Sequence, residues 1–382
     1  MARRLVEWGH DVQLVTAWRE PTERKGWFQT EEAGINVHWL PVAYSNRMGF
    51  TDRVSAFIRF AIGAMQYASR LSGDVVFATS TPLTIVLPGL YAARKIKVPL
   101  VFEVRDLWPA VPIALGVVTN PILKFLSNQL ELMAYRNSRR IVVLAPGMKD
   151  AVVAKGGIPE RTIDVIPNGA DLALFSAINI DEKKLRQQHG IPDNRRIILY
   201  TGALGWVNGV DYIIRLSEEL DKLGADDRYF FVVIGDGCEH DNLKRIAQQN
   251  KVLGRMLLML GSKPKYEVIE WYRICTASIM TYSGPEIVYR DSVSNKFFDS
   301  LAAGKPVLTN FSGYSTKIAE EVSAGKILPP DPIDAAPIFL ESLDDDNWVK
   351  SAGAAARKLG EERFSRDKLA RDLEQTLLAA VE

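Results

Sequence analysis

Short apolar runs alternate with amphipathic stretches along nearly the whole chain. The runs are rich in β-branched residues and interrupted by few polar positions, which is typical of parallel strands buried on both faces. The stretches between them have helical spacing, so the pattern predicts a doubly wound α/β fold. We predict strands at 12–16, 35–40, 74–79, 99–104, 139–144 and 162–166, and then at 196–201, 230–234, 256–260, 277–281 and 307–310.

Length and composition indicate two globular domains. The chain has 382 residues, of which 47% are hydrophobic and 24% charged, and this length suits two cores rather than one. The turn at Asn168-Gly169 separates the two series of strands, so we place the domains at 1–170 and 171–362, with a C-terminal helix at 363–382. The net charge of +1 argues against nucleic acid as a partner. Two isolated cysteines and four histidines without metal spacing predict neither disulfides nor a metal site, which suits the cytoplasm.

The stretch 46–71 predicts a helix with both apolar and basic positions. Such a helix could lie on a membrane surface, on the inner face of a bacterial membrane, as a peripheral contact. The alternative is an ordinary domain helix packed on a sheet, and the sequence leaves both open. The apolar positions are Phe50, Val54, Phe57, Ile58, Ala61, Ile62 and Met65, and Arg47, Arg53, Arg59 and Arg70 interleave with them.

The stretch 291–307 carries the clearest chemistry. Ser292 and Ser294 are candidate N-caps of a helix, and Gly304 followed by Pro306 predicts its end. A helix N-terminus beside Lys296 suits an anion, above all a phosphate. Asp291 and Asp299 are about two helical turns apart and could accept hydrogen bonds from sugar hydroxyls.

These residues also resemble a known family. Two acids eight positions apart, followed by Ala303-Gly-Lys-Pro-Val307, are similar to the donor-site signature of retaining glycosyltransferases of family 4. The family usually has glutamates where this chain has aspartates. The run from Asn295 to Val307 resembles a branch that builds bacterial surface polysaccharides. Arg105-Asp-Leu-Trp-Pro109 and Pro167-Asn-Gly-Ala-Asp171 also match, so the resemblance covers nearly the whole chain.

The resemblance implies a GT-B fold, in which two Rossmann-like domains face a central cleft. It implies retaining sugar transfer from a nucleotide diphosphate donor, with UDP as the expected nucleotide, to a glycan or lipid-linked acceptor, without metal or other cofactor. The implied catalytic residues are Asp291, Lys296 and Asp106, and the implied donor-sugar site is Asp291, Ser292 and Val293. The implied acceptor-side residues are Glu103, Arg105 and Asp106, although a structural ion pair is an equal interpretation of Arg105 and Asp106. The implied nucleotide and phosphate site comprises Gly202, Leu204, Gly205, Asn208, Gly235, Gly237, Lys263, Ser294, Asn295, Lys296 and Asp299.

The chain departs from the family in two places. The glycine-rich loop at 202–209 has Ala203 and Asn208 where relatives often have arginine and lysine, so Lys296 must neutralise more of the phosphate charge. Relatives also have a strand and a glycine-rich loop before the helix that opens this chain, and we expect that strand to be missing here. Two other functions therefore stay open: a catalytically silent nucleotide-sugar-binding partner subunit and a GT-B nucleotide-sugar epimerase.

Overall fold

The computed structural model describes residues 1–45, 48–176 and 180–382. They form two compact units, one of residues 1–167 with 367–382 and the other of residues 168–366. The division falls at the Pro167-Asn168 peptide, close to the boundary that we predicted at 170. The second division, at 366, lies a few residues later than predicted.

The first unit contains two sheets and the helices that pack against them. Strands β1, β2 and β3 form one sheet in the order β1-β3-β2, where β1 and β3 are parallel and β2 is antiparallel to β3. Strands β4 to β7 form a second, entirely parallel sheet in sequential order. The strands are β1 (Gln13–Trp18), β2 (Phe28–Glu32), β3 (Ile35–Pro41), β4 (Val76–Thr79), β5 (Leu100–Val104), β6 (Arg140–Val143) and β7 (Ile163–Val165). The helices are α1 (Ala2–Glu7), α2 (Phe50–Ala68), α3 (Val86–Ile96), α4 (Ala110–Ala114), α5 (Pro121–Asn137) and α6 (Pro146–Gly156).

The second unit is a parallel six-stranded sheet in the order β10-β9-β8-β11-β12-β13, in which β8 is central. This order reverses direction between β8 and β11, which is where doubly wound sheets bind ligands. The strands are β8 (Arg196–Thr201), β9 (Tyr229–Ile234), β10 (Leu257–Leu260), β11 (Ala277–Met280), β12 (Val307–Thr309) and β13 (Gly325–Ile327). The helices are α7 (Leu172–Ser176), α8 (Glu182–Gln188), α9 (Asp211–Lys222), α10 (His240–Gln249), α11 (Lys265–Ile274), α12 (Asn295–Ala303), α13 (Tyr314–Glu321), α14 (Pro332–Asp344) and α15 (Asp346–Glu362).

The C-terminal helix α16 (Arg366–Val381) packs on the first unit. Leu369, Leu373 and Ala380 join the buried cluster that Val101 and Val142 form on the parallel sheet. A polar contact also holds α16 on this sheet, because the Thr376 hydroxyl donates to the Asp164 carboxylate at 3.0 Å. The end of the chain therefore completes the first unit.

The fold follows the predicted two-unit α/β plan, with two strands missed. Strands β2 and β13 escaped prediction because β2 is largely exposed and polar and β13 is very short. The predicted helix at 46–71 is α2, whose residues 46 and 47 lie outside the described residues. Its predicted apolar face is divided, since Ala61 is buried while Ile58 and Ile62 are 49% and 58% exposed.

Candidate active site

The start of helix α12 is the centre of the candidate donor site. Ser294 is its N-cap, and the hydroxyl accepts a long hydrogen bond from the Lys296 N–H at 3.4 Å. Ser292, the other candidate cap, instead lies in the preceding loop, where its hydroxyl is 3.0 Å from the Tyr282 hydroxyl. Gly304 ends the helix at φ 64°, the left-handed conformation that its position predicted. Asn295 is the exposed first residue of the helix.

Lys296 reaches back from this helix to the end of strand β8. Its ammonium donates to the Tyr200 hydroxyl at 3.0 Å and lies 4.3 Å from the centroid of the Tyr200 ring. None of the ion pairs among the described residues includes Lys296. Burial without a counter-charge therefore lowers the pKa of Lys296 to about 7. An anion placed beside this ammonium would be paired with it in a site of low polarity, where the attraction is strong.

Two glycines allow the loops around Lys296 to pack closely. A Cβ on Gly202 would lie 2.4 Å from Lys296 Cε, and Gly202 also has a φ of 143°. A Cβ on Gly235 would lie 1.8 Å from the Gly202 carbonyl oxygen, so the turn after β9 rests directly on the turn after β8. The backbone contact excludes any side chain at Gly235, whereas a side chain at Gly202 would displace the end of Lys296 and strain the backbone. We predicted Gly202 and Gly235 as phosphate-binding residues. In the structure they allow two loop backbones to approach each other closely and leave room for the Lys296 side chain.

Most amides of the loop at 202–209 are already bonded within the protein, which differs from the predicted phosphate cradle. The physical reason is that these bonds close the loop and fasten it to the turn after β9. Within the described residues, the N–H groups of Ala203, Trp206 and Val207 have no recorded acceptor. The Gly202 N–H donates to the Ile234 carbonyl, and the Leu204 N–H donates to the Asp236 carbonyl. The Gly205 N–H donates to the Asn208 side-chain oxygen. The Asn208 N–H donates to the Gly205 carbonyl, and the Gly209 N–H donates to the Trp206 carbonyl.

Four predicted phosphate residues therefore have structural roles. The Leu204 side chain is fully buried in the core of the second unit, and the Asn208 side chain closes the loop on Gly205. The Gly237 N–H donates to the side chain of Asp236 at 2.8 Å. The Lys263 ammonium forms an ion pair with the Glu267 carboxylate, four residues later, at 2.9 Å.

Asp299 is buried and already paired. Its carboxylate accepts from Lys265 at 2.6 Å and is 9% exposed. Burial raises the pKa of Asp299, and the opposing effects of Lys265 and Arg366 only partly offset this. A ribose hydroxyl that donated to Asp299 would therefore have to share the carboxylate with Lys265.

The predicted donor-sugar residues lie on the loop before α12. The Asp291 carboxylate accepts from the Arg290 guanidinium at 2.9 Å. The Ser292 carbonyl accepts from the Ser315 hydroxyl at 2.9 Å, and the Val293 carbonyl accepts from the Asn168 amide at 2.8 Å. These bonds fix the loop in place. Of the three residues, Asp291 alone keeps an ionised acceptor for a sugar.

The predicted acceptor-side residues meet at the carboxyl ends of β4 and β5 in the first unit. Glu103 accepts from the Thr79 hydroxyl and from Arg105, whose guanidinium is 3.5 Å away. Asp106 accepts from the Thr81 hydroxyl at 2.7 Å. Arg105 and Glu103 thus form an ion pair in this loop. Asp106 stays exposed and can meet a hydroxyl.

Three site residues were missed from the sequence. Tyr200 holds the Lys296 ammonium, and Lys265 pairs with Asp299. The Tyr272 hydroxyl is 2.9 Å from the Thr201 hydroxyl and donates a long bond to the Lys296 carbonyl at 3.4 Å, which fastens β8 to α12. A signal existed only for Tyr200, because a polar aromatic residue at the end of a central strand is unusual in an otherwise apolar run.

This arrangement can bind an anion and hydroxyl groups. Among the described residues, no group of three or more histidine, cysteine, aspartate or glutamate side chains could hold a metal ion. The positive groups near the β8 end are Lys296 and, on the Asp299 side, Lys265. The site therefore combines one uncompensated cation with carboxylates on either side of it along the chain.

Comparison with known proteins identifies the family. Residues 1–169 match the model of the glycosyl transferase 4-like domain, and residues 181–359 match that of the glycosyl transferases group 1. The chain belongs to the GT-B glycosyltransferases. Two sequence relatives of this glycosyltransferase cover much of its length. WcaI of Escherichia coli, named as a colanic acid biosynthesis glycosyl transferase, is 24% identical over 68% of this chain and 67% of its own. The 2-deoxystreptamine glucosyltransferase of Streptomyces kanamyceticus is 23% identical over 92% of this chain and 90% of its own.

Solved structures show the same fold. Anabaena HepE, in complex with UDP and glucose, superposes on this glycosyltransferase with a TM-score of 0.70 at 18% identity. The match covers 91% of this chain and 87% of HepE. At this identity the likeness establishes the two Rossmann-like domains and leaves the ligand of this chain to be argued from its own residues.

Proposed function

We propose that this glycosyltransferase moves a sugar from a UDP-linked donor to a hydroxyl, with retention at the anomeric carbon and without a metal ion, in the synthesis of a bacterial surface polysaccharide. The observation that carries the proposal is the Lys296 ammonium, which lies against Gly202 and the Tyr200 hydroxyl without a carboxylate partner among the described residues. A diphosphate would supply the missing counter-charge. The colanic acid relative and the UDP complex of HepE support the choice of substrate class.

Catalysis in this proposal rests on positioning and on charge. As the sugar leaves, negative charge develops on the diphosphate, and Lys296 stabilises that charge more in the transition state than in the ground state. The three loop amides without recorded acceptors, at Ala203, Trp206 and Val207, can donate to the phosphate oxygens. We propose metal independence because the Lys296 ammonium would supply the positive charge that a metal ion would otherwise place beside the diphosphate.

The carboxylates have separate tasks in the proposal. Asp299 accepts from the ribose hydroxyls while its ion pair with Lys265 supplies a counter-charge. Asp291 accepts from a hydroxyl of the donor sugar, and Arg290 orients it. On the first unit, Asp106 accepts from the attacking hydroxyl of the acceptor, held in place by Thr81.

Nucleotide binding and product analysis test the proposal. UDP and UDP-sugars should raise the melting temperature and GDP-mannose should not, because a ligand at about 100 times its Kd adds ~2.7 kcal/mol to stability. Release of UDP in the presence of a lipid-linked acceptor, followed by NMR of the product, gives the activity and the anomeric configuration. If no nucleotide stabilises the protein, the donor site is wrong. An inverted product would refute retention alone.

A silent partner subunit is the second candidate, and one observation favours it. Five of the loop amides at 202–209 are bonded internally, and the loop carries no cationic side chain. Such a protein would be stabilised by UDP-sugars yet release no UDP with any acceptor, including extracted bacterial lipids. The same two measurements therefore separate the two candidates.

A further inference from the structure

A pocket lined by positive charge lies in the first unit between the C-terminal ends of helices α3 and α5. Its volume is about 390 Å³, and no aspartate or glutamate is among the residues that line it. The core residues Leu90 and Leu100 also line it, so the pocket reaches down to the buried layer. The four cationic side chains that define this basic pocket are Arg94, Lys97, Arg136 and Arg139.

The four cations of the basic pocket have no carboxylate partner among the described residues. Arg94 is held in place, because its guanidinium donates to Asn137 Oδ1 at 2.6 Å. The Asn137 side-chain amide in turn donates to the Met133 carbonyl at 2.8 Å. A concave surface with charge of one sign attracts and concentrates counter-ions. The charged groups of the basic pocket are therefore available to an external anion.

Capping of helix ends does not account for this cluster. Basic side chains at the end of a helix can bond its last carbonyls. Here other groups do so, since the Ser138 hydroxyl donates to the Ala134 carbonyl at 2.7 Å. At the end of α3 the Val98 N–H donates to the Ala93 carbonyl at 3.0 Å. Within the described residues, no bond from the four cationic groups to a backbone carbonyl is recorded.

Lys97 has a backbone conformation that favours glycine. It follows α3 with φ 61° and ψ 46°, which is the left-handed conformation, and it is exposed. Glycine is the usual residue at such a helix end because other residues are strained there. The lysine therefore adds a positive charge to the basic pocket at a cost in stability. Glycine at this position would remove the charge and relieve the strain.

The basic pocket and the candidate acceptor residues lie at opposite ends of strand β5. Leu100 begins this strand and lines the basic pocket, whereas Glu103 is near the end of the strand and Asp106 follows it. At about 3.3 Å per residue, the strand is about 13 Å long between its first and last residues. An anion in the basic pocket would therefore be separate from the sugar-transfer chemistry.

We propose that the basic pocket binds a small soluble anion that carries at least two phosphate groups. The planar guanidinium of arginine matches pairs of phosphate oxygens, and linked phosphates carry enough charge to neutralise several cations. No helix of the described residues is long and apolar enough to cross a membrane. None of the residues that line the basic pocket is an exposed large apolar side chain, so the pocket offers phosphate contacts without a surface for acyl chains. Binding at this place does not depend on the donor site.

Calorimetry with inorganic pyrophosphate tests the inference, in the Lys296→Met background so that the donor site does not contribute. We expect one pyrophosphate bound per chain, with a Kd that rises with salt. Adding Lys97→Gly/Arg139→Gln should raise the Kd at least tenfold, because two of the four cations are lost. The matched control Lys251→Gly/Arg59→Gln also removes two positive charges, and Lys251 is left-handed as well, at φ 57°. The control should leave the Kd unchanged, and the pocket variant should melt no lower than the control.

Several outcomes would overturn the inference. One is that the Lys296→Met protein binds no pyrophosphate, and another is that both double variants lose affinity equally, which would indicate an effect of overall charge. Inorganic phosphate that binds as tightly as pyrophosphate would contradict a ligand with two phosphate groups. Binding to phosphatidylglycerol vesicles that requires the pocket cations, without binding of pyrophosphate, would assign the pocket to a lipid phosphate.

Stabilisation by UDP is measured in parallel with Lys296 present, so that a failed donor site and a failed basic pocket are distinguishable. If UDP does not stabilise the protein while pyrophosphate binds to the Lys296→Met protein, the donor site alone is wrong. The reverse result refutes the basic pocket alone.

Discussion

Replacing Lys296 by methionine should make the protein more stable and less active. The lysine is held beside Tyr200 with no counter-charge, and its pKa falls from 10.5 to about 7. At about 1.36 kcal/mol per pH unit, this lowering corresponds to ~5 kcal/mol of destabilisation when the ammonium is charged. Methionine fills a similar volume without the charge but loses the hydrogen bond and the contact with the Tyr200 ring. We therefore expect a net gain of ~2 kcal/mol below pH 7.

The pH dependence of this gain has a definite sign. The unfolded chain keeps the Lys296 proton up to about pH 10.5, whereas the folded protein loses it near pH 7. The unfolded state therefore binds more protons between these values, and the stability of the parent rises with pH across that window. The advantage of Lys296→Met should be full below pH 7 and shrink towards pH 10. For a unit of this size, ~2 kcal/mol raises the melting temperature by roughly 4–8 °C.

The assay combines thermal melts at pH 6 and pH 9.5 with transfer rates at pH 8. The transfer rate should fall about 150-fold. Loss of a hydrogen-bond donor to developing negative charge removes ~3 kcal/mol of transition-state stabilisation. Lys296→Ala should lose as much activity. The matched control is Lys265→Met, which breaks the ion pair with Asp299 and should lower stability. If Lys296→Met destabilises the protein at both pH values, or keeps full transfer activity, the reasoning about the buried ammonium is refuted.

Three further substitutions test the other parts of the site. Asp299→Asn should weaken UDP binding about tenfold, because the amide accepts less and leaves Lys265 unpaired; unchanged affinity in calorimetry would remove Asp299 from the ribose site. Asp291→Asn should lower the turnover of the sugar donor more than the affinity for UDP, and an equal effect on both in steady-state kinetics would contradict its contact with the sugar alone. Gly202→Ala should lower stability by ~2 kcal/mol and abolish UDP binding, because the new Cβ meets the Lys296 side chain in a strained backbone. A normal melt with normal UDP binding would show that the loop can move aside.

The fold was predictable because the central strands of the parallel sheets are buried on both faces. Runs such as Ile197-Ile-Leu199 have no polar positions, and their spacing with amphipathic segments leaves few other α/β arrangements. The limits of helix α12 were also readable, since its N-cap serine and C-terminal glycine are local signals. Strand β2 escaped because its exposed sequence Phe28–Glu32 forms a strand only through pairing with β3.

The site was less predictable because its contacts join distant parts of the chain. The sequence indicated Lys296 as the phosphate cation, but its partner Tyr200 lies on another strand. Nothing local distinguishes Lys265 from Lys263, since the choice depends on which ammonium faces Asp299 and which faces Glu267. Likewise, the number of loop amides available for phosphate depends on how the two glycine-rich turns pack.

Proton uptake on UDP binding tests most directly whether Lys296 receives the diphosphate. At pH 8 a lysine with a pKa of about 7 is about 90% neutral, while the phosphates of UDP are ionised. Binding beside the diphosphate restores the charged ammonium, so calorimetry in buffers of different ionisation enthalpy should record close to one proton taken up per UDP. Above pH 7 the Kd should also rise by nearly tenfold per pH unit. Uptake by the parent that is absent from Lys296→Met is the predicted result; no uptake by the parent, or equal uptake by both, would contradict the account.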